Sequence, residues 1–333
     1  MLTHQLINSI QQILMTCDDM PILRVANRVR CESMSNKHDI SPIVKATELN
    51  DYAIDNLSRN ILTRETFYSN SEGNIVKITP INAFTDNYIW ALHNEQHCVV
   101  VDPGDPAVVL AFLKAHNLQL SAILITHHHF DHTGGISQLT KHYPHITVFG
   151  PNNPNIKGIT HPLEDTDTLY LDELKIELSV MTVPGHTLDH IMYFAPGMLF
   201  CGDTLFSCGC GRLFEGTPAQ MFDSLRKISQ LPRETLIYCT HEYTQANIAF
   251  AETVEPHNKA LAQYKLWVEQ QRSNNKPTIP TLLSEQLQFN PFLRVHVDSI
   301  QAFAQSSAGD LRQKTVTDPV QVFAALRQAK DDF

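Results

Sequence analysis

The sequence predicts an α/β fold in which two sheets carry helices on their outer faces and a helical C-terminal domain follows. Three observations predict it. Short β-rich apolar runs separated by turns recur between Ile75 and Cys239, strong helix starts lie between those runs, and beyond about residue 250 the strand signals give way to helical patterns.

Along the chain, residues 1–73 come first. They are polar and weakly patterned, although Leu6, Ile10, Ile13, Leu14 and Cys17 lie at helical spacing and would allow one amphipathic helix in an N-terminal extension of unknown role. Residues 74–250 hold the expected strands: Tyr88–His93, Cys98–Val101, Ala122–Thr126, Ile146–Phe149, Leu174–Val183, Ile191–Phe194, Met198–Cys201 and Thr235–Cys239. These runs are rich in β-branched and aromatic side chains and are bounded by turn formers. Asp105 before Pro106 marks one helix start, and Thr217 before Pro218 marks another that continues through Met221 to Leu231. The cap oxygen accepts an orphan amide, and a first-turn proline has no donor to lose. Residues 251–333 read as helices at Asn258–Gln271, Ser299–Gln305 and Pro319–Lys330, the last opened by Thr317-Asp318-Pro319. Arg327 and Lys330, three residues apart, share a face near the end of that helix.

Composition narrows the class of protein. The chain has 333 residues, 43% of them apolar, enough for a substantial core and for about two domains. The longest apolar stretch, Cys98–Leu113, is broken by Asp102, Pro103, Gly104 and Asp105, so no membrane span is expected. The first basic residue is Arg24, and Asp18 and Asp19 argue against a transit peptide, which predicts a cytoplasmic location. The seven cysteines (Cys17, Cys31, Cys98, Cys201, Cys208, Cys210 and Cys239) are odd in number and irregularly spaced. That pattern fits a reducing compartment, and Cys208-Gly209-Cys210 reads as structural. A net charge of −10 disfavours nucleic acid as a partner, and a monomer is expected.

Chemistry concentrates after Thr126. There His127-His128-His129-Phe130-Asp131-His132 sets imidazoles and a carboxylate in the pattern His-x-His-x-Asp-His, directly after the apolar run Ala122–Ile125. These are the ligands that borderline divalent cations prefer, and alternate residues leaving a strand end splay toward two adjacent centres. Further candidates stand where later strands break: His186, Asp203 and His241. Five histidines and two aspartates suffice for two ions with three protein ligands each and one shared carboxylate. Isolated histidines elsewhere read as surface or packing residues. His128 lies inside the loop, but alternation directs it away from its neighbours.

These motifs resemble the metallo-β-lactamase superfamily and, within it, the hydroxyacylglutathione hydrolase (glyoxalase II) family, from about Ile75 to Phe333. The resemblance implies an αββα sandwich with a helical C-terminal domain. It implies that His127, His129 and His186 hold a first metal, that Asp131, His132 and His241 hold a second, and that Asp203 bridges them. Zn²⁺ is the foremost candidate for both ions, with Fe and Mn²⁺ also suited to this donor set. The implied reaction is hydrolysis of the thioester S-D-lactoylglutathione to glutathione and D-lactate, the second step of methylglyoxal detoxification. It needs no side-chain nucleophile, because a cation lowers the pKa of a water it holds toward about 7. Asp131 is placed to orient that nucleophile.

The substrate residues are implied in the same way. Cys208 to Gly216 looks like the family's glutathione loop, in which Arg212 fills the basic position and Phe214 stands where tyrosine is common. The lost hydroxyl corresponds to a hydrogen bond of about 1 kcal/mol. Tyr243 matches a second aromatic contact, and Arg327 with Lys330 matches the basic pair that holds the glycine carboxylate of glutathione. Asn290-Pro291-Phe292-Leu293-Arg294 also fits the family and reads as structural. One departure is Asp189, because the family commonly writes Gly-His-Thr-x-Gly-His where this chain has Gly185-His186-Thr187-Leu188-Asp189-His190. It reads as a solvated turn residue, with a hydrogen bond to a ligand imidazole as the alternative. Among competing functions, a glutathione persulfide dioxygenase binds one iron through two histidines and one aspartate, and the full seven-residue set disfavours it. A non-catalytic binding module would have a damaged set, nucleases usually carry basic surfaces, and β-lactam hydrolysis does not explain the glutathione-type C-terminus.

Overall fold

Period-two alternation builds the centre of the molecule. The computed structural model describes residues 66–69, 73–307 and 317–333, and the helix expected around Leu6 to Cys17 lies outside them, as do Cys17 and Cys31. Among the described residues the first sheet has the order β1 (Thr66–Ser69), β2 (Ile75–Ala83), β3 (Asn87–His93), β4 (His97–Val101), β5 (Gln119–Leu124), β6 (Thr147–Pro151) and β7 (His161–Leu163). It is antiparallel from β1 to β4 and parallel from β4 to β7. Helix α1 (Pro106–His116), the short α2 (Phe130–Thr133) and α3 (Ile136–His142) fall between its strands.

The second sheet is built from β8 (Thr168–Leu171), β9 (Ile176–Thr182), β10 (Ile191–Ala195), β11 (Met198–Gly202), β14 (Leu236–Cys239) and β15 (Thr281–Leu282), in the order β15-β14-β11-β10-β9-β8. A small hairpin of β12 (Leu205–Phe206) and β13 (Gly209–Cys210) follows β11, and α4 (Pro218–Ser229) precedes β14. Tyr88, Trp90 and Leu92 join Leu178, Val180 and Tyr193 in one cluster between the sheets, and Trp90 meets Tyr238 edge-on at 5.0 Å. The alternate residues Ile89, Ala91 and Val100 pack instead with Val109 and Leu113 of α1 and with Ile136 and Leu139 of α3. Met221, Leu225 and Ile228 of α4 join the main cluster from the second sheet's side. The layers are therefore helix, sheet, sheet and helix.

The C-terminal region is helical: α5 (Thr244–Val254), α6 (Lys259–Ser273), α7 (Leu283–Phe289), α8 (Asp298–Ser307) and α9 (Pro319–Asp331), with a 3₁₀ turn at Pro291–Leu293. Helix α5 runs across residue 250, and β15 pairs antiparallel with β14. The described residues belong to one compact unit. Among the described residues no helix is long and apolar enough to cross a membrane.

The caps expected from sequence are present. Asp105 accepts from the Ala107 amide, and Thr217 and Gln220 form a reciprocal capping box. Strand β2 was not marked out in the sequence because Pro80 interrupts it. Its register places Pro80 opposite Trp90 of β3, and among the described residues β1 pairs with β2 only up to Ile78.

Several hydrogen bonds lace the two sheets together at one end. Trp90 Nε1 donates to Cys239 O (3.0 Å), Tyr193 OH to Ile125 O (2.7 Å), the Ile191 amide to Thr126 O (2.9 Å) and the Tyr88 amide to Thr240 O (2.7 Å). That end carries the loops after β5, β9, β11 and β14.

Candidate metal centre

Each predicted ligand leaves a strand at this laced end. His127 and His129 precede α2, which carries Asp131 and His132; His186 follows β9, Asp203 follows β11 and His241 follows β14. The loops are held tightly against one another. A side chain at Gly104 would collide with Asp131 O, and Gly202, at φ +49°, lies where a Cβ would strike Thr126 Oγ1 and the His190 ring.

The structure brings all seven side chains together. His129 Nδ1 lies 3.0 Å from both His127 Nε2 and His186 Nε2. The opposite nitrogens of those two rings are already committed. Thr126 Oγ1 donates to Asp102 Oδ2 (2.7 Å) and so accepts from His127 Nδ1 (3.0 Å), while His186 Nδ1 donates to Arg212 O (2.8 Å). Two lone pairs therefore face His129 Nδ1, which has at most one proton to offer, an arrangement that a cation satisfies and hydrogen bonds do not.

Adjacent to it, His132 Nε2 lies 3.5 Å from Asp131 Oδ2 and 3.6 Å from Asp203 Oδ1, and His241 Nε2 lies 3.4 Å from Asp131 Oδ2 and 3.3 Å from Asp203 Oδ2. Asp203 Oδ2 also lies 3.4 Å from His186 Nε2, so this carboxylate touches both groups. His132 Nε2 and Asp203 Oδ1 are fully buried without a hydrogen-bond partner. Orphaned donors and acceptors of this kind fit a site for divalent ions. His127, His129 and His186 form one possible ligand group, and Asp131, His132 and His241 form another.

Electrostatics points the same way. Burial disfavours the charge on His132 and His241, yet nearby carboxylates overcome it: Asp203 and Asp102 raise His132 to about 10, and Asp203, Asp131 and Asp86 raise His241 to about 11. Burial pushes the other way on Asp203, but His241 and His132 hold it well below the usual carboxylate range. His127, buried among other imidazoles, is lowered and stays neutral as a ligand must. Without an ion, protons on His132 and His241 balance the carboxylates.

Supporting residues that sequence reasoning missed surround this core. Asp102, at the end of β4 with φ +52°, accepts from the Thr126 amide (2.8 Å) and lies 3.0 Å from His132 Nδ1. Asp86 Oδ1 accepts from His241 Nδ1 (2.8 Å), and Asn87 donates to Asp131 Oδ2 (2.9 Å). His190 Nε2 accepts the Asp203 amide (3.1 Å), and burial lowers its pKa to about 3. The one available signal was position, since Asp86 and Asp102 are acids flanking apolar strands.

The predicted substrate residues divide. Phe214 packs edge-on against the rings of His129 (5.3 Å) and His186 (5.2 Å), and Tyr243 stacks on His241 at 4.6 Å. Burial, with Asp86, Asp203 and Asp131 nearby, raises Tyr243 and keeps its phenol protonated. Arg212 is exposed, and its Nε meets Asp331 Oδ1 at 3.0 Å. Arg327 is buried, with Nη1 donating to Cys210 O (2.9 Å) and Nη2 to the same Asp331 oxygen (3.0 Å). Lys330, half-buried, donates to Ala246 O (3.1 Å) and lies over the Phe250 and Phe333 rings. Asp331 thus joins the 208–216 loop to α9. Asp189 departs from expectation: its side chain is only 12% exposed and is hydrogen-bonded to His128 (2.9 Å), Thr187 (2.7 Å) and Asn153 (2.7 Å), because the packed loops leave it little solvent. Neither a solvated turn nor a bond to a ligand imidazole describes it.

Known proteins share this sequence pattern. Residues 84–241 match the metallo-beta-lactamase superfamily, and residues 242–333 match the hydroxyacylglutathione hydrolase C-terminus. A hydroxyacylglutathione hydrolase of Nitrosomonas europaea is 49% identical over 259 residues, covering 78% of this chain and 97% of its own length. One from Aliivibrio salmonicida is 51% identical over 257 residues (77% and 99%), and one from Photobacterium profundum is 50% identical over 260 residues (78% and 100%). With its two layered sheets, helical C-terminal region and half-identical relatives matched along nearly their whole length, this chain belongs to the hydroxyacylglutathione hydrolase family of the metallo-β-lactamase superfamily.

Proposed function

We propose that the protein hydrolyses S-D-lactoylglutathione, and 2-hydroxyacyl-glutathione thioesters more broadly, to glutathione and the hydroxy acid. The observation that carries this reading is the convergence of seven imidazole and carboxylate side chains, two of whose atoms are buried and unpartnered, in a chain of this family. His127, His129 and His186 would hold one divalent ion, Asp131, His132 and His241 a second, and Asp203 would bridge. Zn²⁺ comes first on the chemistry of the donors, with Fe or Mn²⁺ also suited. When bound, such ions make water ionisable near neutral pH and draw charge from a carbonyl oxygen.

The chain's own residues supply the rest. Asp131, partly exposed and fixed by Asn87, presents a carboxylate that can accept a hydrogen bond from the attacking water and orient it. A thiolate leaves readily, so no strong general acid is called for. Phe214 covers the His129 and His186 rings and shields that side from bulk water. Tyr243 keeps a phenol proton to donate, and Arg212 and Lys330 supply positive charge for an anionic tripeptide. Arg327, spent on Cys210 O and Asp331, acts as the strut beneath them. Free, buried Cys98, Cys201, Cys208, Cys210 and Cys239 fit work in a reducing compartment such as the cytoplasm.

Purified protein loaded with Zn²⁺ and mixed with S-D-lactoylglutathione should lose thioester absorbance and release free thiol in equal amount. No turnover of that substrate, with two ions bound per chain, overturns the proposal.

A further inference from the structure

One cluster of titratable side chains stands beside the metal centre and outside the seven-residue set. His128 Nδ1 donates to Asp189 Oδ1 at 2.9 Å, and His128 Nε2 lies 3.5 Å from Glu215 Oε1. The Asp189 carboxylate also accepts from Thr187 Oγ1 (2.7 Å) and from Asn153 Nδ2 (2.7 Å), and Glu215 Oε2 accepts the Leu188 amide (2.8 Å). The three residues come from three different segments. His128 is flanked by His127 and His129, Asp189 follows His186, and Glu215 belongs to the loop carrying Arg212 and Phe214.

Those segments must be held in mutual register for the first ion group to exist. His127 is buried and fixed by Thr126, but the His129 ring meets no hydrogen-bond partner outside the imidazole trio among the described residues. Its direction is set by the backbone. Thr133 Oγ1 anchors His129 O on one side (2.9 Å), and His128 anchors the chain on the other. The 211–216 loop is already stitched to the His186 turn, through the Phe214 amide to His186 O (3.1 Å) and the Gly216 amide to Gly185 O (3.0 Å). A side chain at Gly216 would collide with Gly185, so the two segments are in close contact. The Phe214 ring against His129 and the Ile191 amide on Thr126 O bring this pair near the His127–His129 segment, and His128 with its two carboxylates adds the side-chain hydrogen bonds between them.

We infer that His128, Asp189 and Glu215 form a clamp of positioning residues that sets His127 and His129 against His186 and couples the substrate loop to that trio. The inference rests on the metal-centre reading for its purpose but not for its existence, and its first readout needs neither ion nor substrate. In the ion-stripped protein, Asp189→Gly, which writes the family's usual residue, should speed amide exchange about tenfold across residues 126–133 and 211–216 and leave β10 and β11 unchanged. Asp189→Asn keeps an oxygen that accepts from His128 Nδ1 and should stay within about twofold of the unsubstituted protein. In the loaded protein, Asp189→Gly should surrender one ion per chain to a chelator about tenfold faster and raise KM more than it lowers kcat, with Asp189→Asn restoring both. If Asp189→Gly unfolds globally, Glu215→Ala tests the same tie and should loosen 211–216 together with 126–133. Unchanged exchange in both segments, or equal loosening by Asp189→Asn, overturns the clamp. Failure of the unsubstituted protein to bind two ions instead strikes the metal-centre reading, while the exchange result still decides the clamp.

Discussion

Asp203 is the residue on which both halves of the centre meet, because its carboxylate lies within 3.6 Å of His132, His186 and His241. On the two-ion proposal, Asp203→Asn should reduce ion content below two per chain by elemental analysis, since an amide cannot bridge two cations as a carboxylate does. One step outward, Asp102→Asn should weaken ion affinity by about 10- to 100-fold, read by chelator competition, because it removes the charge beside His132 Nδ1. The raised pKa values of His132 and His241 carry a sign that can be tested in stripped protein. Both groups bind protons more tightly folded than unfolded, so their stabilisation is complete below about pH 6.5 and is lost as pH rises through about 10. The stripped protein should therefore lose unfolding free energy between pH 7 and 10, on the order of 1.4 kcal/mol per pH unit for each proton released. Urea titrations check this, and Zn²⁺ should abolish the slope by replacing the protons. A flat profile in stripped protein would contradict this charge balance between imidazoles and carboxylates.

Among the elements, helix starts were the most legible from sequence. A cap is a local device, one oxygen reaching one amide two or three residues on, so Asp105-Pro106, Thr217-Pro218 and Asp318-Pro319 could be read without tertiary information. Thr217→Ala should cost about 1 kcal/mol by thermal or urea unfolding, with little effect on ion content. Strand ends were less legible. The run Leu174–Val183 was expected as one strand, but Lys175 turns at φ +56° and β9 begins at Ile176. Helix α5 escaped because its apolar residues are buried on several sides, which blurs a helical stripe. Glu242 shows what neighbouring elements add. It accepts from Tyr88 OH (2.9 Å) and the Thr278 amide (2.8 Å), and so fixes the residue beside His241 through contacts 154 and 36 positions away in sequence.

For the whole molecule, α9 is the element through which the C-terminus reaches the site. Val322, Phe323 and Leu326 are fully buried in the main cluster, and the same helix carries Arg327, Lys330 and Asp331. Phe323→Ala should cost about 3–5 kcal/mol by large-to-small cavity formation, and by loosening the helix it should raise KM for the thioester more than it lowers kcat. The sequence by itself determined the αββα architecture, the helical C-terminal region and the candidate ligands. Strand periodicity, caps and a tight His-x-His-x-Asp-His spacing are written in neighbouring residues. Tertiary structure decided where the long-range neighbours meet: that Asp86 and Asp102 lie against His241 and His132, that Arg327 is buried with its guanidinium on Cys210 O and Asp331, and that His128 and Asp189 meet across 61 positions. Those pairings depend on which loops the two sheets bring to one end, and no local pattern in a chain records a contact made only after its sheets have packed.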